Sequence, residues 1–281
     1  MPSSHKQDEP EYILPDPDRE VQRLTDQDSV FAYSMNDKRI LAPVNITRPG
    51  LKFLDSGTAD GLFLRSIEKL LTPPFTLSGF DIMQNFFPSS HPAHTTYAVH
   101  SNAEEWPVSM HGQYDFVHQR LALLGVEDKV TPQTAVSYLG ALVAPGGWIQ
   151  LGELDVREPT SGGQAMEDAW KVIRGVFRAV CGFDDFAQSM AEWLRELGFE
   201  DVREESYEVG LGPKCKDPTI GKRSIDVMLQ SWEALLGAAK RFNADVEDSV
   251  TDNLIQRLRE ELSGQGASYS MLYAYGRRPA V

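Results

Sequence analysis

Leu51-Lys52-Phe53-Leu54-Asp55-Ser56-Gly57-Thr58-Ala59-Asp60-Gly61 is the stretch whose reading decides the fold. A short apolar run ends in a turn of small residues. Leu62 to Leu71 then continues with apolar side chains at helical spacing. Strand, tight turn and helix make the opening unit of a doubly wound α/β domain, in which ligands lie beyond the carboxyl ends of the strands. Gly57 and Gly61 let the chain turn sharply and let a ligand rest against the main chain.

The spacing says which ligand. A dinucleotide fingerprint needs Gly-x-Gly-x-x-Gly, whereas here the pattern is Gly57-x-Ala59-x-Gly61. Asp55 at the strand end would repel a diphosphate and attract a ligand with a free ammonium. Asp81 follows Gly61 by 20 residues at the end of a second strand, Thr76 to Ile82. That is the usual distance to a carboxylate accepting both ribose hydroxyls. A third strand, Thr95 to Ser101, leads into Asn102-Ala103 and Trp106. Asn102 can both donate and accept at an adenine edge, and Trp106 offers an apolar wall. Tyr114 to Arg120 is the fourth strand, placing His118, Gln119 and Arg120 at the switch point of the sheet.

Farther along, Pro132 to Val143 reads as a helix, closed by Ala144-Pro145-Gly146-Gly147, and Trp148 to Asp155 as the fifth strand. Glu153 and Asp155 emerge where that strand opens to the cleft. Each suits a base or an amine-orienting group, and equally a solvated strand end. Helical patterns follow over 164–180, 186–197, 224–242 and 246–263, with a Gly- and Pro-rich loop over 210–221. Gly198-Phe199 turns into a strand through about Val209, and Ser268 to Gly276 is the last strand.

The ordered set of Asp55 to Gly61, Asp81, Asn102-Ala103, Tyr114 to His118, Pro145-Gly146-Gly147 and Gly198 onward resembles class I S-adenosylmethionine-dependent methyltransferases, most of all the fungal small-molecule type of secondary metabolism. Ala59 stands where that family commonly has Gly, and Asn102 where it usually has Asp. The resemblance implies a Rossmann-like, doubly wound α/β fold with seven mostly parallel strands, the last antiparallel, under a helical cap. It implies S-adenosylmethionine as cofactor, held by Asp55, Ser56, Gly57, Gly61, Asp81, Ile82, Asn102, Ala103 and His118. His118 and Glu153 are the expected catalytic residues. His118 suits a general base by type and place, and it equally suits a ring packed against the cofactor. The expected reaction moves the cofactor methyl to a nitrogen or oxygen of a small molecule. A cofactor-binding pericyclase or isomerase without methyl transfer, or a non-catalytic regulatory relative, are the alternatives.

Residues 1–18 read as a flexible arm and 19–281 as a single domain, with lid or cap segments at about 19–42, 164–197 and 222–263. Tyr12, Phe31 and Tyr33, with Met35, offer an aromatic surface to a small substrate; a plain covering helix fits the same pattern. The chain has 281 residues, 41% of them hydrophobic, and a net charge of −14. Such a balance disfavours nucleic acid as a partner. His91, His94 and His100 raise a metal site, but Pro92 interrupts any shared helix face, so none is expected. Two cysteines without paired spacing, no apolar run of membrane length and no signal pattern make the cytoplasm the expected compartment. The apolar helices near the C-terminus leave a homodimer open.

Overall fold

Strand β1 (Leu51–Ser56) is buried everywhere but at Lys52, because it lies at the centre of the sheet with a parallel neighbour on each side. The computed structural model describes residues 17–183 and 185–280. Helix α1 (Pro17–Ser34) precedes β1, and α2 (Leu62–Glu68) follows it. Next come β2 (Phe75–Asp81), β3 (Thr95–Val99), β4 (Tyr114–Arg120), α3 (Pro132–Leu142) and β5 (Val143–Leu154). The chain continues through α4 (Gln164–Cys181), α5 (Met190–Glu196), β6 (Glu200–Leu211) and α6 (Pro218–Arg241). It ends with α7 (Asp248–Thr251), α8 (Leu254–Gly264) and β7 (Ala267–Arg277). The strand order is β3-β2-β1-β4-β5-β7-β6. β7 runs antiparallel between β5 and β6, and the other neighbours are parallel. The expected seven-stranded, mostly parallel α/β sheet is thus the one observed. Its order reverses between β1 and β4, where the register sets Asp55 beside His118.

Four of the departures from the expected element boundaries have a clear local reason. α1 stops at Ser34 rather than near residue 41, because Asn36 and Asp37 both take left-handed backbone angles. The Pro145-Gly146-Gly147 segment is a bulge inside β5 rather than a turn before it. Val143 pairs with Tyr114 and Trp148 with Phe116, leaving Ala144 to Gly147 out of register. Only part of the loop expected over 210–221 is loop, since β6 reaches Leu211 and α6 starts at Pro218. Asp217 caps that helix by accepting from the Thr219 and Ile220 amides, and proline at the first helical position is a start signal. The helix expected over 246–263 breaks at Asn253, which is left-handed.

The cap is fastened by aromatic packing. Trp170 of α4 is fully buried, stacks on Trp232 of α6 at 5.3 Å and meets Tyr269 of β7 at 5.6 Å. Both indoles donate to backbone carbonyls, Trp170 to Asp155 and Trp232 to Ala169. Such rings bury large areas while keeping their N–H satisfied. Trp170→Ala is expected to lower the unfolding free energy by about 3–5 kcal/mol, read from urea denaturation.

Candidate functional site

The residues at the carboxyl ends of β1, β2 and β4 meet in one cleft of about 320 Å³. Asp55, 3% exposed, accepts from Thr58 Oγ1 at 2.7 Å with one oxygen and faces His118 Nδ1 at 2.7 Å with the other. The His118 ring lies flat on Phe63 at 3.7 Å. Burial pushes the imidazole below its ordinary pKa, against the opposing pull of Asp55. A neutral ring donating Nδ1–H to the carboxylate satisfies both groups.

The turn after β1 is shaped by what surrounds it. Gly57 has φ of +70°, and a Cβ there would sit 2.7 Å from that of Ala122. Gly61, at φ +77°, would collide with the Tyr97 hydroxyl. Ala59 is also left-handed, at φ +49°, a conformation costing an L-residue about 1–2 kcal/mol. Asp81 holds it there: one oxygen accepts the Ala59 amide at 2.9 Å, the other the Met83 amide at 3.0 Å. Burial raises the Asp81 pKa, opposed by those backbone donors. Ser56 Oγ donates to Asn102 Oδ1, tying the loop after β3 to the turn. Asn102 and Ile82 line the cleft. Trp106 is buried behind this loop, against Phe80 and His100, and does not line it.

The cleft runs into a chamber of about 820 Å³, with Leu24, Gln27, Ile82, Leu121 and Leu124 shared between them. Apolar side chains of α1, α4, α6 and β7 surround the chamber, among them Phe31, Phe177, Met228, Trp232 and Tyr269. Ala103 lies at its edge. Glu153, 2% exposed, lines it too. Its Oε1 accepts from Gln119 Nε2 at 2.8 Å and from the Leu123 and Ala122 amides at 3.0 and 3.1 Å. Burial nevertheless pushes the carboxyl up to about 7.

Several expected residues fall elsewhere. His118 lines the cleft and not the chamber, with Nδ1 engaged by Asp55, so its position suits holding Asp55 better than serving a substrate as base. Tyr33 is 40% exposed and lines neither space, because on α1 it lies two residues, more than half a turn, from Phe31. Tyr12 lies outside the described residues. Asp155 turns to Arg157 and Gln188. His94 pairs with Glu68, and among the described residues no group of three or more His, Cys, Asp and Glu is arranged to hold a metal ion.

Another residue lining the cleft gives no sequence signal. Asp28 of α1 is bracketed by Arg120 at 2.7 Å and Arg39 at 2.6 Å. Burial works against its charge, but the two guanidiniums hold the carboxyl below the usual range. Arg120 also lies over the Phe31 ring at 5.2 Å, so the end of β4 is fixed to α1. Nothing local announces a contact between residues 92 positions apart.

Residues 19–204 match the family model described as a methyltransferase domain. Methyltransferase psoC of Aspergillus fumigatus is 32% identical over 259 residues, covering 92% of this chain and 94% of the relative. N-methyltransferase sirN of Leptosphaeria maculans is 32% identical, with 97% of this chain and 96% of the relative covered. A solved structure of phosphoethanolamine N-methyltransferase 2 from Haemonchus contortus superposes with a TM-score of 0.50 at 17% identity, over 92% of this chain and 58% of that one; this likeness speaks to the fold alone.

The raised Glu153 pKa makes stability depend on pH. Between the ordinary carboxyl range and pH 7 the folded protein keeps a proton that the unfolded chain has released, so stability falls as pH rises through that window. Glu153→Gln removes this loss. The variant is expected to match the wild type near pH 4 and to exceed it at pH 8 by up to roughly 3 kcal/mol, in urea titrations at both pH values. Parallel stabilities would mean that Glu153 titrates normally.

Proposed function

The chain belongs to the methyltransferase-domain family, with S-adenosylmethionine as methyl donor, and from that premise we propose that it methylates a nitrogen of a small, mostly apolar acceptor. One observation carries this reading: the cleft that holds Asp55 and Asp81 opens directly into a larger, mostly apolar chamber. Relatives named as N-methyltransferases support nitrogen over oxygen.

The cleft suits the donor chemically. Asp55 is an anionic partner for an ammonium, and its two oxygens are held in place by Thr58 and His118. Asp81 keeps lone pairs for a ribose diol after binding the Ala59 and Met83 amides. Asn102, fixed by Ser56, offers an amide edge to a base. Ile82 and Phe63 supply apolar walls. When bound, the donor supplies a methyl already activated by its sulfonium.

The remaining work falls to the protein's own side chains. The chamber confines the acceptor, which lowers the entropic part of the barrier. Glu153 receives the proton that the nitrogen must lose. A carboxyl titrating near 7 is ionised in a useful fraction at neutral pH and is still basic enough to accept. Gln119 and the Leu123 amide hold its Oε1 and aim the group. His118 positions Asp55.

Calorimetry with S-adenosylhomocysteine tests the cleft. Asp81→Asn is expected to weaken binding about tenfold to a hundredfold, the effect of losing charge-assisted hydrogen bonds. A change below about threefold, within the usual range for a spectator, would remove Asp81 from the ribose. Incubation with methyl-labelled donor and paired amine, amide and hydroxyl acceptors tests the rest. Label is expected on nitrogen, with kcat/KM rising across pH 7 and that rise absent in Glu153→Gln. Label on oxygen alone would overturn the nitrogen assignment.

A further inference from the structure

Tyr269 of β7 is 8% exposed, and it lines the chamber but not the cleft. Its backbone is well fixed. Val209 of β6 pairs with it, and the preceding Ser268 exchanges backbone hydrogen bonds with Ser161 at 2.9 and 3.1 Å. Its ring packs on Trp170, which in turn stacks on Trp232 of α6. The hydroxyl is less provided for. Among the described residues it has no hydrogen-bond partner. Its oxygen is not sealed within the packing, and the chamber is a space that the residue lines.

A polar group held in mostly apolar surroundings without a partner costs free energy that packing does not return. Phenylalanine would give the same packing without that cost. Neighbouring donors on the chamber wall are committed. Ser224 Oγ donates to the Gly221 carbonyl at 2.7 Å, and Ser231 Oγ to that of Val227 at 2.8 Å. The Trp232 indole donates to Ala169, and Arg23 donates to Glu20 and to Ser231. The Tyr269 proton has no such destination. Burial pushes the phenol above its ordinary pKa, so it stays a proton donor throughout the neutral range. A carbonyl oxygen suits such a group, because it accepts without bringing a proton that needs a partner of its own.

We infer that the Tyr269 hydroxyl is a binding subsite that donates a hydrogen bond to a carbonyl oxygen of the methyl-accepting molecule; the inference rests on the chamber being the acceptor site. Leu24, Gln27, Ile82, Leu121 and Leu124 line both spaces, whereas Tyr269 lines the chamber alone. The bond therefore holds a part of the acceptor remote from the transferred methyl, and it orients the molecule without entering the chemistry.

Two probes of the same shape carry the test: 2-acetylnaphthalene, which has a carbonyl oxygen, and 2-isopropenylnaphthalene, which has none. Both are titrated by calorimetry into the full chain loaded with S-adenosylhomocysteine, as wild type and as Tyr269→Phe. The ratio of ketone to alkene affinity is expected to fall at least about threefold in the variant, the worth of one neutral hydrogen bond. A smaller change would overturn the inference. Without a probe, Tyr269→Phe is expected to keep its Tm within about 3 °C, because no internal hydrogen bond is lost. A larger fall, or failure to fold, would show that the hydroxyl serves the structure and would overturn the inference too. Met228→Trp fills the chamber from a position that does not line the cleft, with Val227→Phe in its place if that variant does not fold. It should abolish binding of both probes and leave the affinity for S-adenosylhomocysteine within about threefold. Probe binding retained there, or absent from the wild type, would instead overturn the assignment of the chamber.

Discussion

The hydrogen bond between Asp55 and His118 joins β1 to β4 where the strand order reverses, and the site depends on it. Parallel register places the two residues side by side, and both are almost wholly buried. A carboxylate in that position would be costly without partners. His118 and Thr58 supply them from opposite sides, and Phe63 closes over the imidazole. The consequence is a negative charge held rigidly at the mouth of the turn. Flexible surface carboxylates lose much of their attraction to screening, whereas this one is fixed and only slightly exposed. The same logic extends to Asp81, which binds the strained Ala59 amide and thereby fixes the turn after β1.

Much of this was legible in the sequence because it is local. The strand, the glycines and the two acids lie within Leu51 to Asp81, and their spacing follows from the length of one strand–helix–strand unit. The glycines are needed for the reason anticipated, although the structure sharpens it. Gly57 and Gly61 are enforced by Ala122 and Tyr97 as well as by their backbone angles. The seven mostly parallel strands, with the last antiparallel, followed from the resemblance and are the ones observed.

What escaped the sequence was the partnering of side chains across elements. His118 reads as a base when only its strand position is known; its bond to Asp55 appears once the two strands are set in register. Tyr33 looked as suitable as Phe31 because composition does not fix the rotation of a helix whose two faces both carry aromatics. Pro218 was read as loop, although Asp217 before it makes the pair a helix start. Asp28 with Arg120, and Arg23 with Ser231, join segments far apart in the chain.

Those contacts among the helices set apart a cleft shaped by strand ends from a chamber shaped by the cap. The cleft is built from strand ends that the sheet positions, so its geometry is tied to the core. The chamber is built largely from α1, α4 and α6, joined to one another by the Trp170–Trp232 stack and the Arg23–Ser231 bond, and to the sheet by Trp170 against Tyr269 and by Asp28 with Arg120. Met228 and Trp232 on those helices line the chamber and not the cleft that holds Asp55 and Asp81. Glu153 stands at the boundary, a strand residue whose carboxyl lines the helical chamber. It is therefore a point at which the sheet itself enters the space enclosed by the helices.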